Sequence, residues 1–361
     1  MHAASGHKPP LGPGSTALRL LLIAAILLAI TLALAWAGGW LSPGRLTAQR
    51  IVDQFQTNAG VYPGYRRNHA KGVCVAGYFD SNGQAQPYSV AEVFAPGART
   101  PVTGRFAIPG SNPYAPDGSV PIRSMALRFA LANGQQWRTG MNSMPVFPVA
   151  TPQAFFEQLQ AGQPDPATGK PNPARLAAFF AAHPETAAFR TWAKTAKPSA
   201  SFATESYWSL DAFQFIDAQG QPHAVRWRMT TENGAAATGG PGTDYLDADL
   251  AQRLAQGAQR WRLIVTLANP GDPTNDATRA WPADRREIDA GTLVLTRTTP
   301  QQDGDCRDIN YDPTVLPHGI AISDDPLLPA RSAAYATSYL RRTSEEAHLP
   351  GTAATHTEAK R

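Results

Sequence analysis

An uncharged run of twenty residues, Leu20 to Gly39, constrains the chain before any other feature does. A stretch this apolar must satisfy its own backbone hydrogen bonds, which it can do alone only as a helix. At 1.5 Å per residue, twenty residues cover about 30 Å, the thickness of a bilayer's hydrocarbon core. Arg19 precedes the run, and Trp36 and Trp40 sit near its end as interfacial anchors do. Two readings stand: an uncleaved anchor, or a secretion signal cut at Ala33-Leu34-Ala35 or Ala35-Trp36-Ala37. The run exceeds the usual signal core, which favours the anchor. Flanking charges nearly balance, with Lys8 and Arg19 before the run and Arg45 and Arg50 after it. The expected placement is single-pass in the inner membrane, N-terminus inside and the remainder in the periplasm. The expected divisions are a disordered leader over 1–17, a transmembrane helix over 18–40, one folded domain over 46–345 and a disordered tail over 346–361.

The chain's 32 prolines and 30 glycines are spread over its whole length, which suits short strands joined by many turns. Leu46 to Phe55 reads as a short amphipathic helix. Val73–Phe79, Val90–Phe94, Val102–Ile108 and Ile122–Leu131 read as strands, with Asp80-Ser-Asn-Gly83 as a tight hairpin turn and Asn133-Gly134 as another. Antiparallel succession points to a barrel or a sandwich. Residues 151–196 change to helical spacing at Pro152–Leu159 and Ala174–Phe180. Strand patterns resume at Ser206–Phe215, Ala224–Met229, Trp261–Leu267 and Thr292–Leu295, around a short helix at Asp247–Leu254. Asp303–Leu316 reads as loop. A net charge of +4 over 361 residues, with no basic stripe, gives no case for nucleic acid. Two cysteines, Cys74 and Cys306, exclude a disulfide scaffold; one bridge or two buried thiols both remain open. No zinc-protease or serine-esterase pattern occurs.

Two stretches carry chemistry. In Tyr65-Arg66-Arg67-Asn68-His69-Ala70-Lys71-Gly72, His69 follows basic residues and precedes an apolar run, so it is expected to open a strand and reach a reactant from a rigid mouth. In Arg331-Ser-Ala-Ala-Tyr335 and on to Arg342, helix formers place Arg331 and Tyr335 at i and i+4, with Arg342 on the same face. A guanidinium one turn from a phenol favours the phenolate, which can ligate haem iron. Ionising a tyrosine at neutral pH takes about 4 kcal/mol, more than a surface arginine alone supplies.

Together these stretches resemble the haem catalase superfamily. Arg66 to Gly72 looks like its distal-histidine motif, Arg331 to Tyr335 with Arg342 like its proximal-tyrosine motif, and Asn142-Ser-Met-Pro-Val-Phe147 like its distal-asparagine block. The order is right and the three blocks span nearly all of residues 48–345. The small size and apolar N-terminus resemble the catalase-related peroxidases most. The resemblance implies an α+β fold, an eight-stranded antiparallel β-barrel with a helical insertion and a C-terminal helix carrying the haem ligand, preceded by one transmembrane helix. It implies haem b with Tyr335 as the iron ligand, His69 and Asn142 as catalytic residues, Arg66, Arg105 and Arg342 at the propionates, Arg331 beside the phenolate, and Phe147 and Phe155 packed on the haem or, equally, in the barrel core. The implied reaction reduces hydrogen peroxide or organic peroxides with an unknown electron donor. Weak catalase activity, rearrangement of fatty hydroperoxides as in allene oxide synthases, or a haem sensor or carrier are the alternatives. No NADPH is expected. The chain departs from the pattern at Ala107 (a hydroxyl residue in the family's catalases), at Pro121 (an access-channel Asp), at Pro148–Thr151 and after Tyr335, which together favour peroxidase over catalase.

Overall fold

The computed structural model describes residues 13–38, 41, 44–234, 240 and 242–348. The chain divides into two units, residues 1–50 and 51–361. In the first, Pro13–Ala37 is a single α-helix, α1. It is long and apolar enough to cross a membrane. Its first turns take in residues 13–17, which the sequence placed in a disordered leader, because Thr16 to Leu18 continue a helix-compatible run. The rest of that leader and Trp40 lie outside the described residues.

Among the described residues of the second unit ten strands follow: β1 (Gly72–Ser81), β2 (Arg99–Ala107), β3 (Ser124–Ala130), β4 (Gln136–Asn142), β5 (Tyr207–Trp208), β6 (Phe213–Ile216), β7 (Pro222–Thr231), β8 (Gln259–Leu267), β9 (Glu287–Pro300) and β10 (Ile320–Ile322). The helices are α2 (Ala48–Ala59), α3 (Pro152–Ala161), α4 (Pro173–Ala182), α5 (Ala187–Ala193), α6 (Leu246–Gln256) and α7 (Leu327–His348). Every strand pairing is antiparallel. The order β7-β5-β4-β3-β2-β1-β9-β8 closes on itself through a β7–β8 pairing, giving an eight-stranded barrel; β6 and β10 extend from β7. The helical insertion, α3 to α5, falls between β4 and β5. Thr151 and Asn172 cap α3 and α4, each with proline at the first turn.

Alternation sets which side of each strand is core. Val73, Phe106, Met125 and Met141 point inward with Phe79, Phe129, Trp137, Trp227 and Trp261, all buried. Trp137 stacks on Phe129 at 4.6 Å. Aromatic volume fills the barrel, so the interior is core and no channel.

Several local expectations are corrected. Val90–Phe94 is no strand: Glu92–Phe94 forms a 3-10 turn that pushes Phe94 against Trp137 and Phe215. Asp80–Gly83 closes no tight hairpin, since β2 begins only at Arg99. Ser206–Phe215 splits into β5 and β6 at Leu210, whose φ is 68°. β9 runs well beyond Thr292–Leu295 because both neighbours, β1 and β8, pair with its polar ends. The tail expected to be disordered from residue 346 stays helical to His348, held by Glu345 on Arg67 and Glu346 on Arg307; residues 349–361 lie outside the described residues.

Candidate functional site

The outer wall of β1–β4 carries two cross-strand rows made mostly of small residues. One row is Gly72–Ala107–Ser124–Asn142. The next is Cys74–Arg105–Ala126–Gly140. The segment after β9 covers part of this wall, where Cys74, Cys306, Ile309 and Tyr311 form their own buried cluster. Cys74 and Cys306 are bonded. The bridge resolves the choice that the sequence left open.

Helix α7 approaches the same region. Arg331, Tyr335, Ser338, Arg342 and Glu345 recur at four- and three-residue steps and therefore share a face. Ser338 Oγ accepts from the Arg67 amide at 3.1 Å and Ser332 Oγ donates to Asp312 at 2.6 Å, so the helix is tied down along its length. Arg331 Nη2 donates to the Gly140 carbonyl at 3.2 Å and lies 3.4 Å from the Tyr335 hydroxyl. Its Nη1 pairs with buried Asp211. Burial opposes the Arg331 charge, but Asp211 and Tyr335 offset this and hold its pKa above the ordinary guanidinium value. A Cβ on Gly140 would stand 3.2 Å from Arg331 Nη2 and 3.8 Å from the Tyr335 oxygen. The bare backbone at Gly140 therefore leaves room for the Arg331 guanidinium beside the phenol.

His69 does not open β1, which starts at Gly72. It sits three residues earlier at φ 54°, a conformation unusual for any side chain but glycine. The turn is held on both sides: Asn68 Oδ1 accepts from the His69 and Gly110 amides at 2.9 and 2.8 Å, and the Ala70 amide donates to the Gly110 carbonyl at 2.9 Å. The imidazole Nδ1 is buried without a hydrogen-bond partner. Ala107, the cross-strand partner of Gly72, carries no hydroxyl. Burial, then the charges of Arg105, Arg331 and Arg66, lower the His69 pKa to about 3, so the ring stays neutral. Asn142 ends β4, and Ser124 Oγ donates to its Oδ1 at 2.6 Å, which turns the amide's NH2 away from Ser124.

Three guanidinium groups gather beside this turn. Arg66 Nη2 donates to the carbonyls of Cys306, Arg307 and Ile309, each at 3.0 Å. Arg105 Nε donates to Gln301 at 2.8 Å and its Nη2 to the Ala70 carbonyl at 3.2 Å. A Cβ on Gly72 would meet the Arg105 guanidinium at 2.7 Å, so this glycine is what lets Arg105 lie across β1. Arg342 is 2% exposed, its Nε lacks a partner, and its nearest carboxylates, Glu346 and Asp308, stand at 3.3 and 3.5 Å. Burial and then Arg342 lower the Arg66 pKa to about 10; burial and then Arg66 lower that of Arg105. Crowded buried cations of this kind favour an anionic partner.

Of the residues singled out in the sequence, Arg66, Arg105 and Arg331 lie near enough to His69 for their charges to disfavour its protonation, Arg342 acts likewise on Arg66, and Tyr335 lies beside Arg331. Phe147 and Phe155 pack on each other at 5.8 Å in a satellite cluster with Val149 and Phe179 of the insertion. The barrel-core alternative for them is thus corrected. Gln301, Asp211, Ser124 and Gly140 carried no local signal; pairing across distant strands and loops brings them in. Gly72 lay inside the histidine motif.

A family model described as catalase matches residues 52–358. The chain belongs to the catalase family. It is 38% identical over 304 residues to a catalase-related peroxidase of Synechococcus elongatus, covering 82% of this chain and 89% of that protein. A catalase-related peroxidase of Mycolicibacterium paratuberculosis is 30% identical over 306 residues, with 83% and 96% covered. Among solved structures, a bacterial catalase superposes with a TM-score of 0.69 at 24% identity, and catalase A from Saccharomyces cerevisiae with 0.70 at 19%. Each match covers 77% of this chain, and 57% and 61% of those longer chains. These likenesses support the closed barrel as a catalase-like fold. The catalase family consists of oxidoreductases that act on peroxide.

Proposed function

We propose that this catalase-family chain is a haem-dependent peroxidase that reduces hydrogen peroxide or small organic peroxides at the expense of an electron donor. The observation that carries the reading is the Arg331–Tyr335 pair set against bare backbone at Gly140, on the wall where His69 and three crowded guanidinium groups also gather. The donor set fits haem b: a phenol braced by a cation as the iron ligand, and Arg66, Arg105 and Arg342 for two propionates. Bound there, haem supplies the redox equivalents that cleave the peroxide O–O bond.

The chain's own residues do the rest. Arg331 stands against the Tyr335 hydroxyl, and Asp211 fixes Arg331 in place. Neutral His69 takes a proton from the peroxide's inner oxygen and returns it to the leaving oxygen. Asn142 donates a hydrogen bond that orients the peroxide without adding charge. The absent hydroxyl at Ala107 leaves His69 braced on one side fewer, which supports peroxidase over rapid dismutation. The apolar helix α1 and the Cys74–Cys306 bridge support an oxidising compartment, with the domain tethered in the periplasm at the inner membrane.

An absorption spectrum of the haem-loaded protein, with oxygen evolution and chromogen oxidation followed on peroxide addition, tests this. Chromogen oxidation should dominate; a protein that takes up no haem would overturn the assignment.

A further inference from the structure

Tyr62, Tyr65 and Tyr114 form a cluster that the proposed chemistry leaves unused. The Tyr114 ring centroid lies 6.0 Å from that of Tyr62 and 6.2 Å from that of Tyr65, both edge-on. Tyr114 is 71% exposed, the most open large aromatic among the described residues. Tyr65 is half-buried beneath it, and its hydroxyl accepts from Gln302 Nε2 at 3.0 Å. Both neighbours of Tyr65 lead inward: Arg66 follows it in the chain, and Gln302 follows Gln301, the partner of Arg105.

The loop bearing Tyr114 is also fixed to the His69 turn. Ser111 Oγ donates to the Arg67 carbonyl, the Gly110 amide donates to Asn68 Oδ1 while its carbonyl accepts from the Ala70 amide, and Lys71 Nζ donates to the Ala115 carbonyl at 2.9 Å while pairing with Asp117 at 2.7 Å. An exposed phenol is thus held in register with the guanidinium cluster. The neighbouring Tyr65 phenol holds the Tyr114 pKa above the usual range.

We infer that Tyr114, relayed through Tyr65, is the surface site at which small hydroxyarene donors, phenols or quinols, deliver electrons one at a time. The inference rests on the peroxidase reading. Tyr114 gives up one electron inward and one proton to water, becoming a neutral tyrosyl radical. The donor's O–H then returns a hydrogen atom, restoring the phenol and leaving a donor radical. Two rounds supply the two electrons and two protons that turn hydrogen peroxide into two waters.

The test treats the haem-loaded full chain with hydrogen peroxide and a nitroso spin trap, followed by peptide mass mapping, alongside guaiacol oxidation and oxidation of a water-soluble quinol. The expected adduct is on Tyr114, lost in Tyr114→Phe, with guaiacol kcat/KM down at least tenfold in Tyr114→Phe and Tyr65→Phe. Tyr78→Phe, on β1 beneath Arg99, keeps wild-type values and serves as the control. Guaiacol and quinol falling together identifies the shared hydroxyarene chemistry; a fall for one alone names the source. An adduct mapped elsewhere, or Tyr114→Phe oxidising both donors at the wild-type rate, overturns the relay while the peroxidase reading stands. A wild-type protein that consumes no peroxide overturns both.

Discussion

The Arg331 guanidinium lies 3.4 Å from the phenolic oxygen of Tyr335, one helical turn further along the same helix. Its other nitrogen is committed to Asp211, a buried residue from the far side of the helical insertion. Removing the carboxylate in Asp211→Ala would strand a largely buried cation. The expected loss is about 3 kcal/mol in urea unfolding, and unchanged stability would show that Arg331 finds another partner.

Tyr335→Phe keeps the ring volume and should leave the fold intact, with a thermal midpoint within a few degrees. Haem uptake, followed by titration at the Soret band, is expected to weaken at least a hundredfold. Equal binding by the two proteins would remove Tyr335 from the ligand position.

The imidazole of His69 is held neutral, its pKa near 3. Peroxide cleavage should therefore show no His69-linked fall between pH 8 and pH 5. His69→Ala should keep haem and lower the rate of peroxide turnover by about 10²- to 10⁴-fold in stopped-flow measurements. For stability the sign is opposite to that of a salt-bridged histidine: the unfolded ring binds a proton near its ordinary value and the folded ring does not. This group's contribution is present above about pH 6.5 and is lost as pH falls from there toward 3.

Cys74 and Cys306 are 232 residues apart, and Cys306 carries one of the carbonyls that hold Arg66. Replacing both with serine is expected to cost about 3 kcal/mol and to loosen the Arg66 cradle. Denaturation with and without reductant, together with the rate of haem loss, would check both parts. A double variant as stable as the wild type would mean that the covering segment is held by packing alone.

Asp325 caps the start of α7, its Oδ1 accepting from the Leu327 amide at 2.9 Å while Oδ2 is buried without a partner. Burial, then the neighbouring charge of Asp211, raises its pKa to about 7. A raised carboxyl destabilises the fold as pH climbs from its unfolded value of about 3.8 through 7. Asp325→Asn should consequently melt higher than wild type at pH 8 and show no advantage at pH 4 in thermal scans. A constant difference across that range would contradict the titration.

Near neighbours in the chain account for the local features: the apolar length of α1, the i, i+4 placement of Arg331 and Tyr335, the caps of α3 and α4, and the order of three motifs. Periodicity also announced antiparallel strands, though Phe94 shows how an apolar alternation can serve a barrel plug instead. Tertiary structure alone decided the rest. Closure through β7 and β8 chose barrel over sandwich, cross-strand register put Asn142 beside Ser124 and Gly72 beside Ala107, and the returning segment after β9 delivered Cys306 to Cys74 and carbonyls to Arg66. Asp211 reaches Arg331 from 120 positions earlier in the chain. Such pairings depend on how long loops close and which wall faces outward, and no window of sequence contains both partners.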